Sequence, residues 1–518
     1  MNVDRRAFLT AATAGLLASQ TVTSPASART LTSDPFTLGV ASGDPSSDGF
    51  VLWTRLAVNP LSGDGRGGMP ARDVEVDWQV AADERFSTIV ESGTATARAR
   101  NAHSVHVELK GLQPGREYFY RFRSEGRVSP AGRTRTTPTG ETTPLTFAVA
   151  ACAHFEHGYY TAYRRLAEQE PDLVVFLGDY MYEYGPSGYT ALAGRVRTHT
   201  PGKCQTLADY RLRHAQYKSD HDLQAAHAAA PWLVAFDDHE VENNWAGPVS
   251  STGAPGFARR RAEAFRAYYE NMPLRRASLQ GAVLKVNRRI SWGTLARFHL
   301  LDTRQFRDDQ ACLDGVRAGC DDRLADQRTL LGAGQWRWLE DGLRDSATRW
   351  NLLGQQIMMA HRDYKVGPGR EVNLDSWDGY AAERTRLLGS LARTSNPVVL
   401  TGDAHMHHLA ELKTDFDDPD SPVVARELVA SSIASDGDGY RDRTWIAEAL
   451  QENPHISYID QRRGYLVARL TRDDLSVDYR TLDYISRRGA KAKTAHRITI
   501  PALTGAAAAG QAGVPRAG

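Results

Sequence analysis

At 518 residues the chain is longer than one hydrophobic core organises, which points to two domains. Its 63 Lys+Arg balance 62 Asp+Glu, for a formal net charge of +1. No field of one sign therefore steers it towards nucleic acid or an anionic membrane, and small or zwitterionic substrates stay open.

In chain order, Arg5-Arg6-Ala7-Phe8-Leu9 precedes an Ala- and Leu-rich stretch, and Ala26-Ser27-Ala28 reads as a small-residue cleavage site. Residues 1–28 resemble a twin-arginine export signal, with Asp4 departing from the Ser or Thr usual there. The apolar stretch is shorter than the roughly 20 residues a spanning helix requires. An exported, soluble protein with no stable membrane anchor is expected, with the twin-arginine machinery as its transport partner. In an oxidising destination Cys312 and Cys320, which bracket a short polar loop, are the expected disulfide. Cys152 and Cys204 are left over.

Residues 36–138 read as all β. Val74, Val76, Trp78 and Val80 alternate with polar residues, and Val105-Val107-Leu109 and Tyr118-Tyr120-Phe122 repeat the period of two. The turn Gly111 to Gly115 entering a strand with Tyr118 is similar to the corner of fibronectin-type sandwiches. The reading is an N-terminal β-sandwich without chemistry of its own, closed by linker-like composition from Thr134 to Gly140.

From residue 145 to 485 the rhythm changes to short apolar runs alternating with helical segments, the pattern of a layered α/β domain. The runs are Phe147–Ala151, Leu173–Leu177, Trp232–Phe236, Phe298–Leu301, Leu352–Met359 and Pro397–Leu400. After them come, in order, Cys152 and His154; Asp179 and Tyr182; Asp237-Asp238-His239-Glu240; Asp302; His361; and Gly402-Asp403-Ala404-His405. Strand ends bearing metal-ligand side chains thus converge on one polar edge, where open α/β folds bind ligands. Gly178-Asp179 alone is also ordinary turn chemistry. The Ala/Gly-rich segment 486–518 reads as a mobile tail.

The order Gly178-Asp179-x-x-Tyr182, Asp238-His239-Glu240, Gly402-Asp403-Ala404-His405 resembles the binuclear metallophosphoesterases, and more closely their alkaline phosphatase D family. Phe36 to Pro45, Leu52-Trp53-Thr54-Arg55, Trp377-Asp378-Gly379-Tyr380 and Asn453-Pro454-His455 resemble further landmarks of that family. The resemblance implies that Cys152, Asp179, Tyr182 and His405 hold Fe3+. Asp179 would bridge to a divalent ion, Ca2+ or Mn2+, held with Asp238, Asp403 and Asn243 or Asn244. A thiolate and a phenolate suit ferric iron, and an oxygen-rich set suits Ca2+ or Mn2+ better than Zn2+. Cys152 taken by itself could also be a buried small residue or the partner of Cys204.

His239 stands where the wider superfamily has a catalytic histidine, as proton donor to the leaving oxygen or holder of a phosphate oxygen; a structural histidine is the alternative. His361 follows an apolar run as the superfamily's middle ligand does. His154, His157, His407 and His408 carry no assigned role, and Arg195, Arg197 and His199 either face a phosphate or form an exposed basic loop. The implied reaction is phosphoester hydrolysis by hydroxide formed on the metals, without a protein nucleophile. Substrates range over phosphomonoesters, phosphodiesters and, as in secreted iron-dependent phospholipase D members, phosphatidylcholine. A non-catalytic exported binding protein on the same scaffold is the alternative.

Overall fold

The computed structural model describes residues 31–503 except residue 32, residues 141–143, residue 193 and residue 201. The expected export signal, residues 1–28, lies outside the described residues.

The continuous apolar runs form parallel strands, because strands covered on both faces require no polar alternation. Leu173–Leu177, buried throughout, pairs in parallel with Leu145–Ala150 on one side and Pro231–Ala235 on the other. They form the middle of a nine-stranded sheet. Ala296–Leu300, Trp350–Gln355, Pro397–Thr401 and Val423–Val429 run parallel in a seven-stranded sheet.

The two sheets enclose a core that includes Phe147, Val175, Phe298, Leu352 and Leu428. Phe147 meets Phe298 edge to face, with ring centroids 5.4 Å apart. The helices Thr161–Ala167, Leu207–Lys218 and Phe257–Asn271 contribute Tyr163, Tyr210 and Phe265 to a second core on the outer face of the larger sheet. Gly332–Arg344 and Ala381–Leu391 cover the smaller sheet through Leu339, Leu343, Leu387 and Leu391. The result is the layered α/β architecture expected from the sequence.

The N-terminal strands form a sandwich, but one of its layers belongs to the nine-stranded sheet. Val74–Ala81, Ile89–Ala97, Glu117–Ser124 and Gly132–Arg135 lie in a five-stranded sheet. They pack against Val40–Ser46, Gly49–Arg55 and Ser104–Glu108 through Phe50, Leu52, Val76, Val80, Tyr120 and Phe122. Those three strands extend the nine-stranded sheet, since Ser42 and Gly43 pair in parallel with Pro231 and Trp232. A Cβ at Gly43 would lie 2.6 Å from the Pro273 carbonyl oxygen and 2.7 Å from that of Trp232. This close approach requires glycine at the junction. The Tyr118 hydroxyl accepts a 3.1 Å hydrogen bond from the Gln113 amide, closing the corner.

The expected mobile tail, residues 486–518, needs correction over its described part, while residues 504–518 lie outside the described residues. Ala492–Pro501 is a strand, paired antiparallel with Asp474–Leu482 at the edge of the nine-stranded sheet, and its Ile498 and Ile500 pack on the inter-sheet core. The Ala/Gly-rich composition after residue 503 concealed the alternation of His496, Arg497, Ile498, Thr499 and Ile500. Cys312 and Cys320 are disulfide-bonded, whereas Cys152 and Cys204 are free and buried. Among the described residues no helix is long and apolar enough to cross a membrane.

Candidate metal centre

The loops leaving Leu145–Ala150, Leu173–Leu177, Pro231–Ala235 and Pro397–Thr401 meet at one end of the two sheets. Their backbones are strained there. Cys152, Asp179, Asn244, Asp403 and His405 have φ of 58°, 55°, 51°, 54° and 52°, in the left-handed region. Each such non-glycine residue costs on the order of 1–3 kcal/mol and persists only where its surroundings hold it. The Cys152 amide donates to the Gly178 carbonyl at 3.0 Å and the Ala153 amide to that of Asp179 at 2.9 Å, stitching the first two loops together. A Cβ at Gly178 would come within 2.5 Å of the Asp237 side chain, so glycine is what lets the second and third loops touch.

Asp179 lies at the centre. Ligand atoms of Cys152, Asp179 and His405 lie within 4.8 Å of one another, as do those of Asp179, Asp238 and His239, and those of Asp179, Asp237 and Asp403. The Tyr182 phenol donates to Asp179 Oδ2 at 3.0 Å and lies 3.0 Å from His405 Nε2, while Ser435 Oγ donates to it at 2.7 Å. Asp436 Oδ2 binds His405 Nδ1 at 2.7 Å and leaves Nε2 turned to the phenol. Burial pushes the Cys152 thiol, the Tyr182 phenol and the Asp179 carboxyl well above their ordinary values, and neighbouring carboxylates push the thiol further.

The second half of the cluster is carboxylate-rich. Burial, with repulsion from Asp237, raises the Asp403 carboxyl, and Asp237 Oδ2 is buried without a hydrogen-bond partner. Burial works against an ionised Asp238, but His239 and Arg304 outweigh it and hold that carboxyl below its usual value. The Asn244 amide donates to Asp238 Oδ2 at 2.6 Å and the Asn243 amide to Glu183 Oε1 at 3.1 Å. Glu183 Oε2 also binds His239 Nδ1 at 2.9 Å. Burial works against a charged His239, yet Asp238, Asp179 and Glu183 together raise its value well above the ordinary one.

These donors fit metal ions. Three buried aspartates, Asp179, Asp237 and Asp238, and the half-buried Asp403 crowd one another, with Arg304 and His239 as counter-charges. Such an anionic surplus is costly to bury, and added positive charge relieves it. A thiol, an imidazole and a phenol lie on one side of Asp179 and carboxylates on the other, matching a softer and a harder position.

Several supporting residues were given no role from the sequence, Glu240 among them although it stands in the Asp238-His239-Glu240 motif. Arg304, fully buried, bridges Asp237 at 2.5 Å and Asp375 at 2.8 Å. Glu240 accepts from the amides of Asp179, Tyr180 and Asp237 at 3.1, 2.7 and 2.9 Å, fixing two ligand loops at once. Asp436 and Ser435 come from a loop with no motif of its own. An Asp or Arg after a strand is too common a pattern to nominate alone.

Other candidates fall elsewhere. His361 is bound through Nδ1 to Asp378 at 2.8 Å, within a pair completed by Arg384, and is absent from the three ligand groups. Arg197 stacks 3.8 Å over Phe155 and pairs with Asp220 at 2.8 Å. His199 is buried against the Tyr217 hydroxyl at 3.0 Å, so His199 and Arg197 are folded onto the protein, while Arg195, which reaches Ser187 Oγ at 3.0 Å, stays exposed. His407 Nδ1 accepts from the Ser431 amide at 3.0 Å, and His408 Nδ1 lies 3.3 Å from the Met406 carbonyl. His154 stacks on His157, ring centroids 3.7 Å apart, behind Tyr182.

The sequence model of the PhoD-like phosphatase matches residues 147–479, and that of the PhoD-like phosphatase N-terminal domain matches residues 21–138. Alkaline phosphatase D of Bacillus subtilis (strain 168) is 46% identical over 506 residues, covering 95% of this chain and 86% of that protein. A solved structure described as "Structure of PhoD" superposes with a TM-score of 0.89 at 46% identity, covering 91% of each chain. With these matches joined to a ligand cluster centred on Asp179, the chain belongs to the PhoD-like phosphatase family and is a phosphoric ester hydrolase.

Proposed function

We propose that the enzyme is an exported hydrolase of phosphodiesters and phosphomonoesters. Its Fe3+ would be held by Cys152, Asp179, Tyr182 and His405, and a divalent ion, Ca2+ or Mn2+, by Asp179, Asp238, Asn244 and Asp403. The observation that carries this reading is the presence of Asp179 in all three ligand groups. When bound, such a pair supplies water activation and neutralises charge on the phosphoryl oxygens. The chain's own residues do the rest. Glu183 fixes the His239 ring through Nδ1 and leaves Nε2 to give a proton to the leaving oxygen or to hold a phosphate oxygen. Glu240 and the Gly178 contact keep the Asp179 and Asp237 loops in register.

The exposed parts of the cluster mark its mouth. The His405 side chain is 16% exposed and that of Asp436 39%, and Tyr184 and Tyr189 stand 5.8 Å apart beside them. Tyr184 also lies 5.2 Å from the His239 ring, and an aromatic wall there favours esters with an organic leaving group. Phosphatidylcholine belongs to that set, and choline release is one outcome of the substrate comparison described last. Residues 1–28 support export by the twin-arginine route, with no nucleic acid as partner.

Metal analysis of the full-length protein as purified tests the assignment. About one iron and at least one divalent ion per chain are expected, with iron lost in Cys152→Ser and both lost in Asp179→Asn. Retention of both metals in Asp179→Asn overturns it.

A further inference from the structure

The disulfide lies in a loop that does more than close a turn. Val316–Ala318 pairs antiparallel with Glu371–Asn373, and the Leu374 amide donates to the Gly315 carbonyl at 3.0 Å. Arg317 Nε reaches back to the Asp314 carbonyl at 2.8 Å. Within it Cys312, Leu313 and Asp314 have φ of 50°, 66° and 63°, so three successive non-glycine residues occupy the left-handed region. Leu313 is 91% exposed, and no packing of its own explains the strain. The bond from Cys312 to Cys320 and the pairing with 371–373 hold this conformation.

The strained segment ends at the metal centre. Asn244 Nδ2 donates to Asp314 Oδ2 at 2.7 Å, and Gln310 Nε2 donates to the Asn244 carbonyl at 2.9 Å and to Asp375 Oδ1 at 2.7 Å. Asn244 is thus gripped from one loop through both its side chain and its backbone. Asp314 Oδ1 is buried without a hydrogen-bond partner, so its charge is not spent on another contact.

A carboxylate only accepts hydrogen bonds, whereas a side-chain amide has one donating and one accepting end. Asp314 therefore selects the Asn244 rotamer that turns Nδ2 to the disulfide loop and leaves Oδ1 on the opposite side. An asparagine holds a cation only through that oxygen. We propose that Asp314, held by the Cys312–Cys320 disulfide, is a positioning residue for the divalent ion and presents Asn244 to it oxygen first. This rests on the reading of Asn244 as a ligand given above. Oxidation of the two thiols then becomes a condition for full divalent-ion affinity.

The test is calorimetric titration of Ca2+ into the iron-loaded enzyme after the divalent ion has been stripped with EGTA, with thermal unfolding recorded for every variant. Loss of an outer partner of a metal ligand weakens binding on the order of 10–100-fold. Asp314→Ala is expected in that range at unchanged iron content. Asp314→Asn, which still offers Asn244 an accepting oxygen, is expected within about threefold of wild type, and Cys312→Ser/Cys320→Ser to weaken binding in the same direction as Asp314→Ala. Asn244→Ala separates the two levels of the argument. If it weakens Ca2+ binding while Asp314→Ala does not, the positioning role is wrong. If Asn244→Ala binds Ca2+ as wild type does, the ligand reading fails and the inference with it. Where Asp314→Ala does not fold, wild-type affinity in the double serine variant overturns the proposal.

Discussion

Ser435 Oγ donates a 2.7 Å hydrogen bond to the Tyr182 phenol oxygen, which also lies 3.0 Å from both Asp179 Oδ2 and His405 Nε2. A donor on a phenolate stabilises its charge and withdraws electron density from any metal it binds. With iron bound as proposed, Ser435→Ala is therefore expected to move the phenolate-to-iron absorption to lower energy at unchanged iron content. An unmoved band in an iron-replete variant contradicts this.

His239 and the metal ligands should separate experimentally. With Nδ1 bound to Glu183, His239→Asn is expected to keep its metals and lose about 10²–10⁴-fold in kcat, as removal of a general acid does. The loss should be greatest for poor leaving groups. Parallel loss of metal in this variant would make His239 a ligand instead.

Arg304 neutralises Asp237 and Asp375 in a fully buried position. Arg304→Met leaves Asp237 without its paired cation and Asp375 with Arg307 alone, and breaking a buried pair from one side costs about 3–5 kcal/mol. Denaturant unfolding of the variant checks this, and a midpoint equal to that of wild type refutes it.

Burial raises the Glu240 carboxyl to about 8, outweighing the backbone amides that favour its charged form. The unfolded value is about 4.3, so the folded value is the higher one. Neutral Glu240 therefore contributes stability that is complete below about pH 4.3 and lost as pH rises through about 8. The metal-free enzyme is expected to lose thermal stability progressively between about pH 4.3 and 8 and to level off above. The metal-loaded enzyme should lose less, because bound cations offset the Asp237 charge that helps raise Glu240. Parallel curves for the two forms contradict the linkage.

Much of the fold was legible because buried parallel strands are written as continuous apolar runs, and Leu173–Leu177 and Pro397–Thr401 lie where those runs placed them. Cys152, Asp179, Tyr182, Asp238, Asp403 and His405 could be nominated together because each follows such a run in a recognisable order, and the fold brings them into one cluster. What stayed hidden depends on long-range contact. The N-terminal strands join the catalytic sheet through Gly43 and Trp232, which no local pattern announces. Ser435, Asp436 and Asp314 reach the site from loops whose sequences carry no periodicity. His361 follows an apolar run as the clustered residues do, yet its ring is bound to Asp378 and it lies in none of the three ligand groups.

The most direct measurement follows release from an alkyl phosphomonoester, an aryl phosphodiester and phosphatidylcholine vesicles by one metal-analysed preparation, beside Asp179→Asn. Turnover of at least one ester, reduced about 100-fold or more in Asp179→Asn together with its metal content, is the predicted result. Choline release well above that control extends the activity to phospholipids, and release from the small esters alone confines it to them. Equal turnover by wild type and Asp179→Asn would contradict a metal centre built on Asp179.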